Sequence, residues 1–490
     1  TTVTIMIKAL ADTSKGDYKN LKSNLISFLV FRDTQSNKYL RLIHSKLDAP
    51  HYEKVMAEDL EGSKIEGAEH QIEKAYNFFV SKFSDLSDED RDTYSKVLLN
   101  KLPVIAMFLS ENDDEQEIFD TINSLGVRLT IAELLKNYIF RDDELKPLYD
   151  EYWFQLFESE QEDVDFWNDA KTSGRIKRTN LELLLYCILI NETGKEVRID
   201  KLFNEFKKYL KDQTPDEKVT FLKKVKKHAE TYKSFPASTD LLEISFDETE
   251  KRVFHVIEYL EITTIYPLLL SIYDKVSDEE EKMKILQILE SYLVRRLLCK
   301  LSTKNYNRFF IQLMNSFDSQ RLDAKTFNLK LNSYQKDSNR FPSDNEFESS
   351  FYNSFLYNRY AREVLFIIVL YQLNNSYSDV IKLNVNRFSV EHILPKKWRN
   401  NWDNGNLTED QRNERDWLLK RLGNLTLITK QLNSKLKNAS WESKVDTLNE
   451  HSKLPITTKY LTLSEWNEEE IKNRANDLAS SAIEIWKIPA

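Results

Sequence analysis

The chain has 490 residues, 41% of them hydrophobic, and a formal net charge of −9 at pH 7. This length predicts two or three domains rather than a single core. The acidic balance argues against a protein coated uniformly in nucleic acid, and no apolar run reaches the roughly 18 residues that a membrane span needs.

The chain is predicted to be mainly α and to form several helical domains. It opens with the apolar helix "TTVTIMIKAL", and only 8 glycines and 10 prolines interrupt 490 residues of mostly helical spacing. Polar, turn-rich stretches at "FESEQEDVDFW" and "SYQKDSNRFPSDNEF" suggest boundaries between parts 1–155, 156–340 and 341–490.

The segment "EIFDTINSLGVRLTIAELLKNYIF" predicts two helices joined by a glycine turn. Thr130 and Glu133 have the spacing of a capping box at the start of the second helix. A helical hairpin accounts for this pattern without further function. Asp120, Asn123 and Gly126 nevertheless place polar groups and a glycine where backbone donors could meet a phosphate.

The two cysteines, Cys187 and Cys299, lie in apolar helical sequence and lack the spacing of metal ligands. Neither a zinc site nor a disulfide framework is indicated. A reducing, cytoplasmic setting is therefore expected.

The stretch "FSVEHILPKKW" predicts a short buried strand from Phe388 to Leu394 that breaks at Pro395. Glu391 and His392 would lie at or near its end. Burying this pair is costly unless a metal ion, a partner side chain or a substrate satisfies it.

The downstream stretch "RLGNLTLITKQLNSKLKN" predicts a turn at Gly423, a second short strand and then a helix. This order is the one that a ββα-metal nuclease needs. A neutral histidine can act as general base on a water, while carboxylate and amide oxygens hold a hard cation. Strand alternation sends Glu391 and His392 to opposite sides, so both serve one site only if the strand end twists or bulges.

These two motifs together resemble the HNH (His-Me finger) nuclease domain at the C-terminus of GmrSD-type modification-dependent (type IV) restriction enzymes. The resemblance implies that His392 is the general base and that Asn424 orients it. It also makes Glu391 and Asn433 ligands of Mg²⁺ or Mn²⁺. Lys444 matches a basic position that follows the helix.

The motifs lie in the most basic stretch of an otherwise acidic chain, which points to DNA as the partner. Its lysines could form either phosphate contacts or a solvated face. The lysines predicted to contact DNA are Lys396, Lys397, Lys435 and Lys444.

The F-D-x-x-N-x-x-G pattern that contains Asp120, Asn123 and Gly126 resembles the second motif of the ParB-like NTPase domain in the same enzymes. The resemblance implies that these residues bind nucleotide. The first motif, Asp-Gly-Gln-Gln-Arg, is not among the 490 residues, so the chain is expected to start just after it and to hydrolyse NTP poorly.

The resemblance thus implies a metal-dependent DNA endonuclease of phage defence, regulated by an N-terminal nucleotide-binding domain and directed at modified or foreign DNA. No membrane association is expected, and self-association is left open. The alternatives are a non-catalytic nucleic-acid-binding or regulatory module with a vestigial motif, and a helical scaffold.

Overall fold

The structure is a computed structural model that describes residues 1–14, 19–35, 37–44, 48–57, 60–103, 130–173, 176–376, 379–403, 405, 407–436 and 438–488. Within these ranges the chain is mainly α with small two-stranded antiparallel sheets, which confirms the predicted fold class. The predicted helix before the glycine turn, with Asp120, Asn123 and Gly126, lies outside the described residues.

The chain forms two compact units. One comprises Thr1–Arg128 with Phe157–Gln161, and the other comprises Leu129–Leu156 with Glu162–Ala490. The division into parts 1–155, 156–340 and 341–490 stays a prediction.

The first unit contains the predicted apolar opening helix, α1, which packs against α4. Its helices are α1 (Thr2–Thr13), α2 (Lys19–Ser27), α3 (Ala49–Met56), α4 (Gln71–Ser84) and α5 (Asp88–Asn100), and its strands are β1 (Val30–Arg32) and β2 (Lys38–Leu40). In α1, burial follows the apolar positions from Ile5 to Ala11, so this helix supplies much of the unit's core.

From residue 130 onward the chain is a stack of helices. They are α6 (Ile131–Ile139), α7 (Gln161–Asn168), α8 (Asn180–Thr193), α9 (Leu202–Leu210), α10 (Pro215–Ser234), α11 (Thr249–Tyr259), α12 (Tyr266–Lys275), α13 (Glu279–Leu298), α14 (Tyr306–Asn315), α15 (Ala324–Asn332), α16 (Asp344–Asn353), α17 (Asn358–Ser376), α18 (Glu409–Leu418), α19 (Lys430–Leu436), α20 (Trp441–His451), α21 (Pro455–Thr458) and α22 (Glu468–Ile485). A π-helix at Asp150–Phe154 continues as a short α-helical turn, Gln155–Phe157.

The predicted capping box at the start of α6 is confirmed. The Thr130 hydroxyl accepts a hydrogen bond from the Glu133 amide, and the Glu133 carboxylate accepts one from the Thr130 amide. Two of the amide groups left unpaired at a helix start are thereby satisfied. None of the helices in the described ranges is long and apolar enough to cross a membrane.

The remaining strands form antiparallel pairs. They are β3 (Ala170–Ser173) with β4 (Ile176–Thr179), β5 (Glu243–Ile244) with β6 (Leu383–Asn384), and β7 (Phe388–His392) with β8 (Leu425–Thr429). The last pair contains both predicted motif strands. His392 lies opposite Leu425 and Glu391 opposite Thr426, while helices α17 and α19 contact both strands.

A 3₁₀ turn, Leu422–Asn424, leads into β8 and packs tightly on α22. A Cβ atom at Gly423 would lie 2.1 Å from the Ile471 main-chain oxygen, so a glycine is needed here for close approach. The sequence predicts a turn at this glycine. The close contact with α22 is a second reason why a glycine is needed at this position.

Replacing Gly423 by Ala should force the turn away from α22 and lower the free energy of unfolding by about 1–3 kcal/mol, the usual cost of overpacking. Chemical denaturation measures this loss. Hydrogen exchange of the Leu394 amide, which donates to the Asn424 side chain, should also become faster. Ser480→Ala is the control, because Ser480 is exposed on α22 and its hydroxyl donates to Asn476 of the same helix. Unchanged Leu394 exchange in Gly423→Ala would contradict the proposed tight contact.

Candidate active site

His392 ends strand β7 and is buried. Its pKa is lowered from the ordinary 6.5 to about 4, chiefly by burial. The positive charges of Lys396, Lys444 and Lys420 add to this shift. The imidazole is therefore neutral near pH 7, the state in which one ring nitrogen is able to accept a proton.

Glu391 forms an ion pair with Lys444, whose side chain is completely buried. The Lys444 ammonium lies 2.5 Å from Glu391 Oε1 and donates a second hydrogen bond of 2.8 Å to the His392 main-chain oxygen. Burial lowers the pKa of Lys444, and the carboxylate opposes that effect. The prediction that Lys444 contacts DNA is wrong, because its ammonium is buried and pairs with Glu391 inside the protein.

Asn433, on α19, lies against the same strand. Its Nδ2 donates to the Ser389 hydroxyl at 2.9 Å and to the Val390 main-chain oxygen at 3.4 Å. Ser389 and Glu391 are two residues apart on β7, so alternation places them on one face of the strand and His392 on the other. The structure thus brings both predicted metal ligands to β7.

Asn424 is completely buried and holds the segment that follows His392. Its Oδ1 accepts from the Leu394 amide at 2.8 Å, and its Nδ2 donates to the Leu394 oxygen at 2.9 Å. Trp466 Nε1 donates to the same Oδ1 at 3.2 Å. Among the described residues Asn424 makes no hydrogen bond to the His392 ring. Any effect of Asn424 on the orientation of that ring therefore acts through the main chain.

Comparison with family models shows which family this chain belongs to. Residues 341–481 match the model described as "GmrSD restriction endonucleases, C-terminal domain", and residues 1–140 match "GmrSD restriction endonuclease, N-terminal domain". The chain belongs to the GmrSD-like type IV restriction endonuclease family. A search of curated proteins found no match. The family identifies a restriction nuclease with DNA as its substrate, and it suggests a divalent metal cofactor in general terms.

Arg474 is a residue of this GmrSD chain that the sequence reasoning missed. It is completely buried on α22, and its Nη1 donates to the main-chain oxygens of Leu422, Gly423 and Leu425 at 3.2, 2.9 and 2.7 Å. Burial lowers its pKa to about 10. A signal was present, because Arg474 lies three residues after the buried Ile471, on the apolar stripe of the helix.

The other predicted DNA contacts of the GmrSD chain have different outcomes. Lys396 and Lys397 follow Pro395 and are exposed, and the charge of Lys396 acts on the His392 ring. The side chain of Lys435 lies outside the described residues, and so do the predicted nucleotide-binding residues Asp120, Asn123 and Gly126.

The oxygen donors fit a hard cation only in part. In the described part of the chain no group of three or more His, Cys, Asp or Glu side chains could hold a metal ion. Lys444 binds Glu391 through Oε1, and Asn433 donates through Nδ2, which leaves Glu391 Oε2 and Asn433 Oδ1 as acceptors. One carboxylate and one amide suit a cation that takes its remaining ligands from water and a phosphate.

Removing Lys444 should be strongly destabilising. Lys444→Met leaves the buried Glu391 carboxylate without its partner, which should cost about 3–5 kcal/mol of unfolding free energy. Combining it with Glu391→Gln should recover most of that loss. Lys459→Met is the control, because Lys459 pairs with Asp477 at the surface and should change stability by at most about 1 kcal/mol. Additive losses in the double variant would contradict coupling of this pair.

The depressed pKa of His392 should make stability depend on pH. Between about pH 6.5 and 4 the unfolded imidazole binds a proton and the folded one does not, so the free energy of unfolding falls as the pH falls. The loss should be on the order of 3 kcal/mol and should be absent in His392→Gln. Denaturation of both proteins between pH 4 and 7 measures it, and parallel curves would contradict the shift.

Proposed function

We propose that this GmrSD chain hydrolyses DNA phosphodiesters with an HNH site at the end of β7. The observation that carries the proposal is the buried, neutral His392 at a strand end, next to the exposed Lys396 and on a strand–strand–helix frame. A general base of this kind must be unprotonated at working pH, and burial supplies that condition.

In the proposed reaction a water attacks phosphorus, and a nitrogen of the His392 ring accepts its proton. One P–O bond forms and one breaks, and the leaving DNA oxygen takes up a proton from solvent. The exposed Lys396 and Lys397 would bind the DNA phosphates around the site. Asn424 positions the strand end through Leu394, and the Lys444 contact fixes the His392 carbonyl.

Glu391 and Asn433 would hold a divalent cation, Mg²⁺ or Mn²⁺, because carboxylate and amide oxygens are the donors that such hard ions prefer. When bound, such an ion supplies charge stabilisation for the leaving oxygen. Lys444 neutralises Glu391 in its absence, so cation binding and this ion pair should compete. Alternation places the two ligands and the base on opposite faces of β7, so they serve one phosphate only if the strand end at His392, where pairing with β8 stops, turns the imidazole toward the cation.

Regulation by nucleotide, preference for modified or foreign DNA and a cytoplasmic setting complete the proposal. The nucleotide-binding part rests on the N-terminal family match over residues 1–140. Because the Asp-Gly-Gln-Gln-Arg motif is not in the sequence, the 490-residue chain should turn over NTP far more slowly than an ordinary enzyme rate of about 1 s⁻¹.

A non-catalytic DNA-binding module with a vestigial motif is the alternative function. The exposed Lys396 and Lys397 would serve binding alone equally well. The two functions differ in what they require of His392: a general base needs its imidazole, and phosphate binding by the lysines does not.

His392→Ala should reduce the rate of DNA cutting by about 10² to 10⁴, the usual contribution of a positioned general base. Conversion of supercoiled plasmid and modified phage DNA with Mg²⁺ measures the rate, while DNA affinity and thermal stability should stay near those of the original protein. His451→Ala, a half-exposed histidine paired with Glu450, is the matched control.

Undiminished cutting by pure His392→Ala protein would reject the assignment. If the original protein bound these DNAs and cut none of them with either cation, the non-catalytic alternative would hold.

A further inference from the structure

A group of cations and aromatic rings lies beside the nuclease motif and takes no part in the mechanism described above. We call it the aromatic shelf. It consists of Lys300, Phe355, Tyr357, Trp417, Lys420 and Arg421.

The shelf adjoins the active site through both chain and charge. Arg421 immediately precedes the turn that carries Asn424, and it forms a β-bridge with Phe355. Asn424 bonds both main-chain groups of Leu394, two residues beyond His392. The shelf therefore lies on the segment that leads into the turn holding the strand end at His392.

The two lysines of the shelf lie close to one aromatic ring. The ammonium groups of Lys300 and Lys420 lie 5.8 and 5.6 Å from the centroid of the same Phe355 ring. In the described ranges neither forms an ion pair with a carboxylate. Two like charges held at one ring repel each other, and an anion between them would remove that repulsion.

Arg421 adds a third such cation. Its guanidinium lies 4.1 Å from the Trp417 ring centroid, and its Nε is buried without a hydrogen-bond partner. A guanidinium that lies on the face of an aromatic ring is well suited to bind a phosphate group.

The aromatic members are unusually exposed. Tyr357 is 69% exposed and Trp417 is 39% exposed, while the rings of Tyr357 and Phe355 lie 5.5 Å apart. Large exposed rings between unpaired cations form the pattern that binds single-stranded nucleic acid, where bases stack on rings and phosphates meet the charges.

The backbone at Lys300 is consistent with a functional position. Lys300 has φ 55 at the end of α13, where glycine is usually found, and the turn is closed by a hydrogen bond from the Leu301 amide to the Arg296 oxygen. The left-handed conformation disfavours residues other than glycine. The lysine that occupies it places its ammonium near the Phe355 ring.

We propose that the aromatic shelf binds an unpaired stretch of the DNA strand next to the cleaved phosphate. Tyr357 stacks on a base, while Lys300, Lys420 and Arg421 bind phosphates. The inference rests on the proposed nuclease function and specifies its substrate as DNA that is locally single-stranded beside the cut.

The test uses Tyr357→Ala, measured in the His392→Ala background so that no DNA is cut. Fluorescence anisotropy with a short single-stranded oligonucleotide should show a 5- to 100-fold weaker affinity, because stacking contributes about 1–3 kcal/mol per base. Tyr357→Phe should bind as the parent does. Tyr94→Ala, at a 47% exposed tyrosine of α5, is the matched control and should not change affinity.

The charges are tested by salt dependence. In the same background, replacing Lys300 and Arg421 by Ala should reduce the slope of log affinity against log salt concentration for the single strand by about 1.4, or about 0.7 for each lost phosphate contact. Two results would contradict binding of single-stranded DNA by the shelf. One is unchanged affinity in Tyr357→Ala, and the other is a loss of affinity for blunt duplex DNA without a loss for the single strand.

Cutting assays with His392 intact separate the two proposals. If Tyr357→Ala cuts as the original protein does, the shelf is wrong and the nuclease proposal stands. If the original protein binds single-stranded DNA through Tyr357 and cuts no DNA, the shelf stands and the nuclease proposal fails.

Discussion

The active-site geometry depends on one buried guanidinium. Arg474 donates to the oxygens of Leu422, Gly423 and Leu425, and so fixes the turn that contains Asn424. Asn424 in turn bonds both main-chain groups of Leu394, two residues beyond His392. Without a carboxylate partner, a buried arginine is tolerable only when main-chain oxygens satisfy its donors, and here they do.

Strand β7 separates two kinds of chemistry on its two faces. On one face Glu391 is neutralised by Lys444 and lies next to the Ser389 contact of Asn433. On the other, burial and nearby positive charge keep His392 neutral. Alternation therefore gives two adjacent residues different surroundings: the Glu391 side chain meets the Lys444 ammonium, and the His392 ring is buried.

Local patterns predicted the elements of this site well. Strand β8, helix α19 and the capping box of α6 follow from short runs of residues, because period, turn chemistry and caps are local properties. Partners distant in sequence could not be predicted in this way. Lys444 looked like a surface charge, and only the fold places its ammonium on Glu391, 53 residues earlier.

The C-terminal helix α22 also joins the active site to the aromatic shelf. Its first half carries Arg474, and at its end the Trp486 oxygen accepts hydrogen bonds from Ser291 and Arg295 of α13. Helix α13 ends just before Lys300. The turn that contains Asn424 packs on α22, and Lys300 follows the end of α13. Hydrogen bonds join these two helices. Rigid elements of this kind would hold the proposed phosphate contacts and the proposed base at a constant separation, which a bound strand requires.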